Sequence, residues 1–252
     1  MPKYNIPEVL MPYDCGGLVR LGRDFDGGYV VNQRDVEKAK GLLSFGVSYD
    51  WSFEKDFTAI NDVPLVAYDG SVTLDQIWKH YWKNILRVDR FDLMREAWYG
   101  IFFLRAFFDG KKRHFESRFV GSETKDGYIG FDAVVSKAPF DEFFLKIDVE
   151  GSEYELLDLL LDFAPRTIGL AIEFHEVGEN LEKITEFVSR YPLTLVHTHI
   201  NNCAPPIENN LPQLVELSFS RTQTRGQKVN QLPHKLDMSN SPKLALPEIC
   251  CV

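Results

Sequence analysis

The segment KIDVEGSEYELL, Lys146 to Leu157, decides how the fold is read. Ile147 and Val149 alternate with Lys146, Asp148 and Glu150, the period of a strand, which sends the charged residues to one side. Gly151 then permits a sharp turn. Ser152 followed by Glu155 has capping-box spacing and predicts a helix to residue 163 carrying Leu156, Leu157, Leu160 and Leu161. The helix start accounts for Ser152 and Glu155, but not for Asp148 and Glu150. Two carboxylates near a buried strand end are costly unless they meet donors, a metal, a substrate or Lys146.

Outward from this segment the same unit recurs. GLLSFG (Gly41 to Gly46), PLVAYD (Pro64 to Asp69), HFESRFVGS (His114 to Ser122), EFFLKIDVE (Glu142 to Glu150), TIGLAIEFH (Thr167 to His175), LTLVHTHIN (Leu193 to Asn201) and LVELSFS (Leu214 to Ser220) read as strands. Helical periods cover Ser52 to Ile60, Leu74 to about Arg105, and Asn180 to Arg190. Apolar strands separated by helices predict a mostly parallel sheet covered on both faces. The proline-rich stretch from Cys203 to Pro212 holds no patterned helix, so the last strand is expected to pair antiparallel. The expected fold is α/β: a Rossmann-like, mostly parallel seven-stranded sheet with helices on both faces and a last antiparallel strand. Residues 1–40 read as an N-terminal extension or flap. Residues 41–221 read as the Rossmann-like domain, with a helical insertion at about 74–108, and 222–252 as an irregular tail.

The chain has 252 residues and a formal net charge of -9. That balance repels phosphate backbones, so nucleic acid is not expected as a partner, and Lys111, Lys112 and Arg113 read as a solvated loop. No stretch approaches the roughly 20 apolar residues of a membrane span, and the N-terminus has no apolar signal core. Cys15, Cys203, Cys250 and Cys251 form no CxxC and no disulfide framework, so a cytoplasmic location is expected. Nothing in the sequence bears on oligomeric state.

In open α/β sheets, ligands bind beyond the carboxyl ends of the strands. That rule selects Gly46, Asp69, Asp148 with Glu150, Glu173 with His175, and His197, His199, Asn201 and Asn202. In SFGVSYDWSFE (Ser44 to Glu54), Gly46 would let the backbone approach a ligand ahead of a helix. Only one glycine is present, which opposes a pyrophosphate-clasping GxGxxG site. Asp69 suits the two ribose hydroxyls of an adenosine, or caps a turn before Gly70. In DFDGGYVV, Gly27 and Gly28 either make a hairpin turn or form a flap whose Asp26 or glycine amides touch a cofactor.

KIDVEGSEYELL resembles the signature of FkbM-type methyltransferases. RLGRDFDGGYVV (Arg20 to Val31), SFGVSYDWSFE, the Asp69 strand, IEFHE (Ile172 to Glu176) and HTHINNC (His197 to Cys203) resemble successive blocks of a bacterial branch of that family, in order, over about Arg20 to Arg221. The resemblance implies a class I methyltransferase fold with S-adenosylmethionine as cofactor. It implies a small-molecule or glycan acceptor whose hydroxyl is methylated, such as a surface-polysaccharide precursor or its phosphate-containing decoration.

On this reading the cofactor set is Asp26, Gly28, Gly46, Ser48, Asp50, Asp69, Ser122, Asp148 and Glu150. The catalytic set around the acceptor is Asp148, Glu173, His175 and His199, with His175 or His199 as base. No metal ligand is assigned. A Mg2+ or Mn2+ ion held by Asp148, Glu150 or Glu173 with His199 or Asn201 ranks second, because the spacing is not a recognised metal signature. Tyr81, Trp82 and Tyr99 in the helical insertion suit a sugar ring; His80, His114 and His234 read as incidental. Two rival functions are a nicotinamide-dependent oxidoreductase, opposed by the missing glycines, and a non-catalytic glycan-binding module using Trp78, Trp82 and Trp98.

Overall fold

The computed structural model describes residues 3–73, 75–76, 79, 82 and 106–252. The helical insertion expected at about 74–108, with Trp78, Tyr81, Trp98 and Tyr99, lies for the most part outside the described residues.

The chain enters through β1 (Lys3–Ile6), the antiparallel hairpin of β2 (Leu18–Leu21) and β3 (Tyr29–Asn32), and helix α1 (Gln33–Lys38). The alternating units follow: β4 (Leu42–Phe45), α2 (Ser52–Ile60), β5 (Leu65–Tyr68) and β6 (Arg113–Glu116). The short pair β7 (Phe119–Gly121) and β8 (Tyr128–Gly130) precedes α3 (Phe131–Lys137), β9 (Phe143–Ile147) and α4 (Leu157–Asp162). The chain closes with β10 (Thr167–Phe174), α5 (Val177–Arg190), β11 (Thr194–Ile200), β12 (Val215–Ser220) and β13 (Glu248–Cys251).

Seven strands form the central sheet in the order β11-β12-β10-β9-β4-β5-β6. The pairs from β10 through β6 are parallel, while β12 runs antiparallel to both β10 and β11. The connection from β11 to β12 carries only the 3-10 turn Glu208–Asn210 and no crossover helix, and the chain returns antiparallel. This is the Rossmann-like class I methyltransferase sheet that the alternating pattern led us to expect. Its reversed strand separates it from the all-parallel order of dinucleotide-binding sheets.

The two faces of the sheet each carry an apolar core, and the strands supply them by alternation. Leu43, Phe45, Leu145 and Ile147 belong to one core, packed by α3, α4 and α5. Leu42, Phe144 and Ala67 belong to the other, with Phe53 and Phe57 of α2. Phe57 and Phe144 meet edge-on at 5.2 Å. Helix α5 presents Leu181, Ile184, Phe187 and Val188 to its core, a three-and-four spacing that gives one apolar stripe.

Three sequence expectations are corrected. The strand expected over His114 to Ser122 is two strands: β6 joins the sheet, while β7 pairs with β8 outside it. The capping box is not formed. Ser152 makes no side-chain cap, residues Glu153–Glu155 are a 3-10 turn, and the helix begins only at Leu157. Glu153 makes the turn instead, its Oε2 accepting the Gly151 N–H at 2.9 Å. Finally, the tail is not irregular throughout: β13 pairs with β1, joining the two ends of the chain. Among the described residues no helix is long and apolar enough to cross a membrane.

Candidate active site

The carboxyl ends of β4, β5, β9 and β10 converge on one edge of the sheet. At the end of β4, Gly46 has φ +76°, and a Cβ there would lie 1.6 Å from the Asp148 carbonyl oxygen. The glycine is therefore required by the contact between two strand ends rather than by a ligand. Lys146 ties the same point, donating from Nζ to the Gly46 carbonyl at 3.0 Å. Beyond β4, β9 and β10, Ser48, Glu150 and Glu176 each hold φ near +50°. Non-glycine residues in this region are strained by about 1–3 kcal/mol each, and such strain collects at ligand sites.

Two adjoining cavities open at this edge. The first, about 240 Å³, is lined by Gly46, Ser48, Asp69, Phe119, Tyr128 and Glu150, among others. The second, about 470 Å³, is lined by Tyr29, Lys146, Asp148, Glu173, His175 and Asn201, with Asp26, Asp50 and Arg23 at its mouth. Gly46, Ser48, Asp148 and Glu150 border both. Asp69 accepts the Ser48 N–H at 2.6 Å on Oδ2 and the Ser71 N–H and hydroxyl on Oδ1. It thus caps a turn and lines the first cavity at once.

The second cavity is floored by an acid–imidazole cluster. Tyr29 donates to Asp148 Oδ2 at 3.0 Å, and its hydroxyl lies 3.4 Å from Glu173 Oε2. Asn201 donates to Glu173 Oε1 at 2.9 Å. The His175 N–H donates to Glu153 Oε1 at 2.6 Å, and the ring Nδ1 lies 3.3 Å from the same oxygen. His175 Nε2 stands 4.0 Å from Asp148 Oδ1. Burial, then repulsion from Asp148 and Glu216, pushes the Glu173 carboxyl up to about 8. Burial opposes charge on His175, but the Glu153 hydrogen bond and the charges of Glu173, Glu153 and Asp148 outweigh it and raise the imidazole to about 9. Ligand atoms of Asp148, Glu173 and His175 all lie within 4.8 Å of one another.

Of the predicted residues, Asp26, Gly46, Ser48, Asp50, Asp69, Asp148, Glu150, Glu173 and His175 meet at these cavities. Gly28, Ser122 and His199 do not. Gly28 faces Arg20 and Arg23 inside its own turn, and Ser122 is exposed beyond β7, where Phe119 and Val120 line the cavity instead. His199 is buried under the C-terminal tail, with Nδ1 3.1 Å from Asp237 Oδ1 and Nε2 2.9 Å from Asn240 Oδ1. It is enclosed and cannot serve as a base for an acceptor. His197 pairs with the same Asp237 oxygen at 3.0 Å, and His234, read from sequence as incidental, packs edge-on against the His197 ring.

Sequence reasoning passed over Tyr29, Glu153, Asp237 and Asn240. Tyr29 sits in the quoted DGGYVV block, and its place on a buried strand was the available signal. Asp237 lies 38 residues from His199 in an unpatterned tail, and no spacing signals that pairing.

No family model and no curated protein matches the chain. Solved structures are similar to it. They include the 23S rRNA methyltransferase ErmE, at 11% identity over 78% of this chain and 68% of that one, with a TM-score of 0.40. Precorrin-6y C5,15-methyltransferase from Geobacter metallireducens matches at 8% identity over 75% and 85%, TM-score 0.39. M. capricolum TrmK in complex with S-adenosyl-homocysteine matches at 8% over 82% and 74%, TM-score 0.38. These likenesses are loose; the fold is read from the strand order.

Proposed function

We propose that the chain is an S-adenosylmethionine-dependent methyltransferase of FkbM type acting on a hydroxyl. The observation that carries this reading is the pair of cavities meeting at Gly46 and Asp148, one holding Asp69 and the other the Asp148–Glu173–His175 cluster. In the first cavity Asp69 faces the ribose, and Phe119 and Tyr128, packed on each other with ring centroids 5.2 Å apart, give the base an aromatic wall. The methionine part passes Gly46, where Asp148 and Glu150 suit its ammonium and sulfonium charges.

The acceptor enters the second cavity, where Asp148, Glu173 and His175 surround its hydroxyl, and the hydroxyl proton is released to solvent water as the oxygen attacks. The acceptor oxygen forms a bond to the methyl carbon, the carbon–sulfur bond breaks, and its electron pair stays on sulfur, giving S-adenosylhomocysteine. Alignment of oxygen, methyl and sulfur supplies much of the rate. The second cavity gathers Asp26, Asp50, Asp148, Glu150 and Glu173 against Arg23, Lys146 and His175. That excess of acids favours a neutral acceptor, such as a sugar ring hydroxyl, over a phosphate-bearing one. It also opposes the two phosphates of a nicotinamide cofactor.

Isothermal titration against S-adenosylhomocysteine and NADH tests the reading. Binding of the first and not the second is expected, and D69A weakens it. Absence of S-adenosylhomocysteine binding would overturn the proposal. Mass spectrometry of candidate neutral sugars and glycosides, with sugar nucleotides in parallel, incubated with labelled cofactor then identifies the acceptor.

A further inference from the structure

The cluster in the second cavity has a feature that its hydrogen bonds leave unresolved. Tyr29 owns one hydroxyl proton, and two carboxylate oxygens face it. The shorter contact, to Asp148 Oδ2 at 3.0 Å, takes that proton. Glu173 Oε2, at 3.4 Å, is left with no other donor among the described residues, although Glu173 is only 6% exposed. A buried carboxylate oxygen facing a carboxylate and a phenol lone pair needs a positive partner.

The surrounding bonds have a common direction. Each member of the cluster is held by one atom from behind and presents another to the centre. Asp148 is held on Oδ2 by Tyr29 and presents Oδ1. Glu173 is held on Oε1 by Asn201 and presents Oε2. His175 has Nδ1 against Glu153, a carboxylate that orients the ring and turns Nε2 toward Asp148, where a bound cation would take the place of the Nε2 proton. A carboxylate behind the imidazole of a histidine ligand is the usual outer support of a metal site. Ligand atoms within 4.8 Å of one another fit an ion with bonds of about 2.1–2.4 Å.

We propose that Asp148, Glu173 and His175 bind one divalent cation, of the Mn2+ type, which receives the acceptor hydroxyl as a further ligand. Two carboxylate oxygens with one imidazole suit Mn2+ better than Mg2+, which prefers oxygen alone. The ion sits beside Gly46 and Glu150, where the cavities join. On the methyltransferase reading above, on which this role rests, the ion polarises the O–H bond and the proton leaves to solvent water as the oxygen takes the methyl group. His199, the other histidine considered for a metal, is excluded by its bonds to Asp237 and Asn240.

Titration of the full chain with Mn2+, followed by the electron paramagnetic resonance signal of the free ion, tests the site without any activity assay. One ion per chain is expected. D148N and E173Q should each weaken it at least ~10-fold, while H114Q at an exposed histidine leaves it unchanged. Thermal melting reports whether each variant folds, and D148N decides if E173Q does not. No loss of the free-ion signal, or wild-type binding in a folded D148N, overturns the proposal. So does an infrared band of a protonated carboxyl that E173Q removes and saturating Mn2+ does not, since a proton then fills the place assigned to the ion. S-adenosylhomocysteine binding, measured in parallel, separates the two readings. If it binds and Mn2+ does not, only the ion falls. If Mn2+ binds at these residues and S-adenosylhomocysteine does not, the site stands and its role in methyl transfer falls.

Discussion

Two acid–imidazole clusters lie in one row across the sheet, and they have opposite characters. Register places Glu173 opposite Glu216, and Glu216 opposite His199, and the Tyr29 hydroxyl links Glu173 to Asp148, so the row runs from Asp148 through Glu173 and Glu216 to His199. At the His199 end every group is enclosed. Asp237 lies against both His197 and His199, and Asn240 closes the other side. Burial opposes charge on His199, but Glu216, Asp237 and Asn240 raise it to about 9. Although burial works the other way, the two histidines hold Asp237 far below the usual carboxylate range. At the Asp148 end the same residue types open on a cavity, and two carboxylate oxygens share the single Tyr29 hydroxyl proton. The closed cluster pins the tail to β11 and β12; the open one is available to bind. Residue type does not separate structure from chemistry here, whereas enclosure by the tail against access from a cavity does.

The sharpest way to break this contrast is to neutralise one member at each end. E173Q is expected to lower methyl transfer by ~10²–10³-fold. Its melting temperature should hold or rise, because repulsion with Asp148 and Glu216 is relieved. A large loss of stability would mean that Glu173 is structural after all. D237N should do the reverse, costing about 3–5 kcal/mol by stranding two buried histidines. Chemical denaturation measures this, and the surviving folded fraction should still bind S-adenosylhomocysteine.

Next in size is the pH response of the closed end. His199 titrates near 6.5 when unfolded and about 9 when folded. Its contribution is therefore fully present below about pH 6.5 and is lost as pH rises through about 9. Glu216, raised to about 7 by burial despite His199 and Arg20, binds its proton more tightly folded than unfolded, so stability falls as pH rises through 7 as well. Melting temperature should drop steadily from pH 6 to 9, by ~5 °C or more. H199Q should remove the upper part of that slope. A flat profile in the wild type would show the cluster to be uncharged.

The smallest effects sharpen the turn after β9. E153Q weakens the hold on Gly151 and His175 and should cost about 1–2 kcal/mol. S152A should cost less than ~0.5 kcal/mol, since its side chain caps nothing. A larger loss in S152A than in E153Q would restore the capping box.

Much of this site was legible because strand ends are local features. Gly46, Asp69, Asp148, Glu173 and His175 each follow an apolar run, and a parallel sheet aligns such ends on one edge. The errors have equally local causes. Ser152 to Glu155 satisfies a spacing rule, but Glu153 offers its carboxylate to two backbone N–H groups at once and the turn follows that bond. His199 and His175 look alike along the chain, each ending an apolar strand. Only the tail, returning from 38 residues away, covers one and leaves the other open.

The amino-acid sequence by itself determined the layers, the parallel pattern with its antiparallel close, and the edge where the polar strand ends collect. Those depend on apolar periodicity and connection length, which are written in neighbouring residues. Which acids and histidines become satisfied was decided by tertiary structure alone. A hydrogen bond from Tyr29 to Asp148 or from His199 to Asp237 joins residues that no short-range pattern relates, and burial sets its value only once the fold has closed around it.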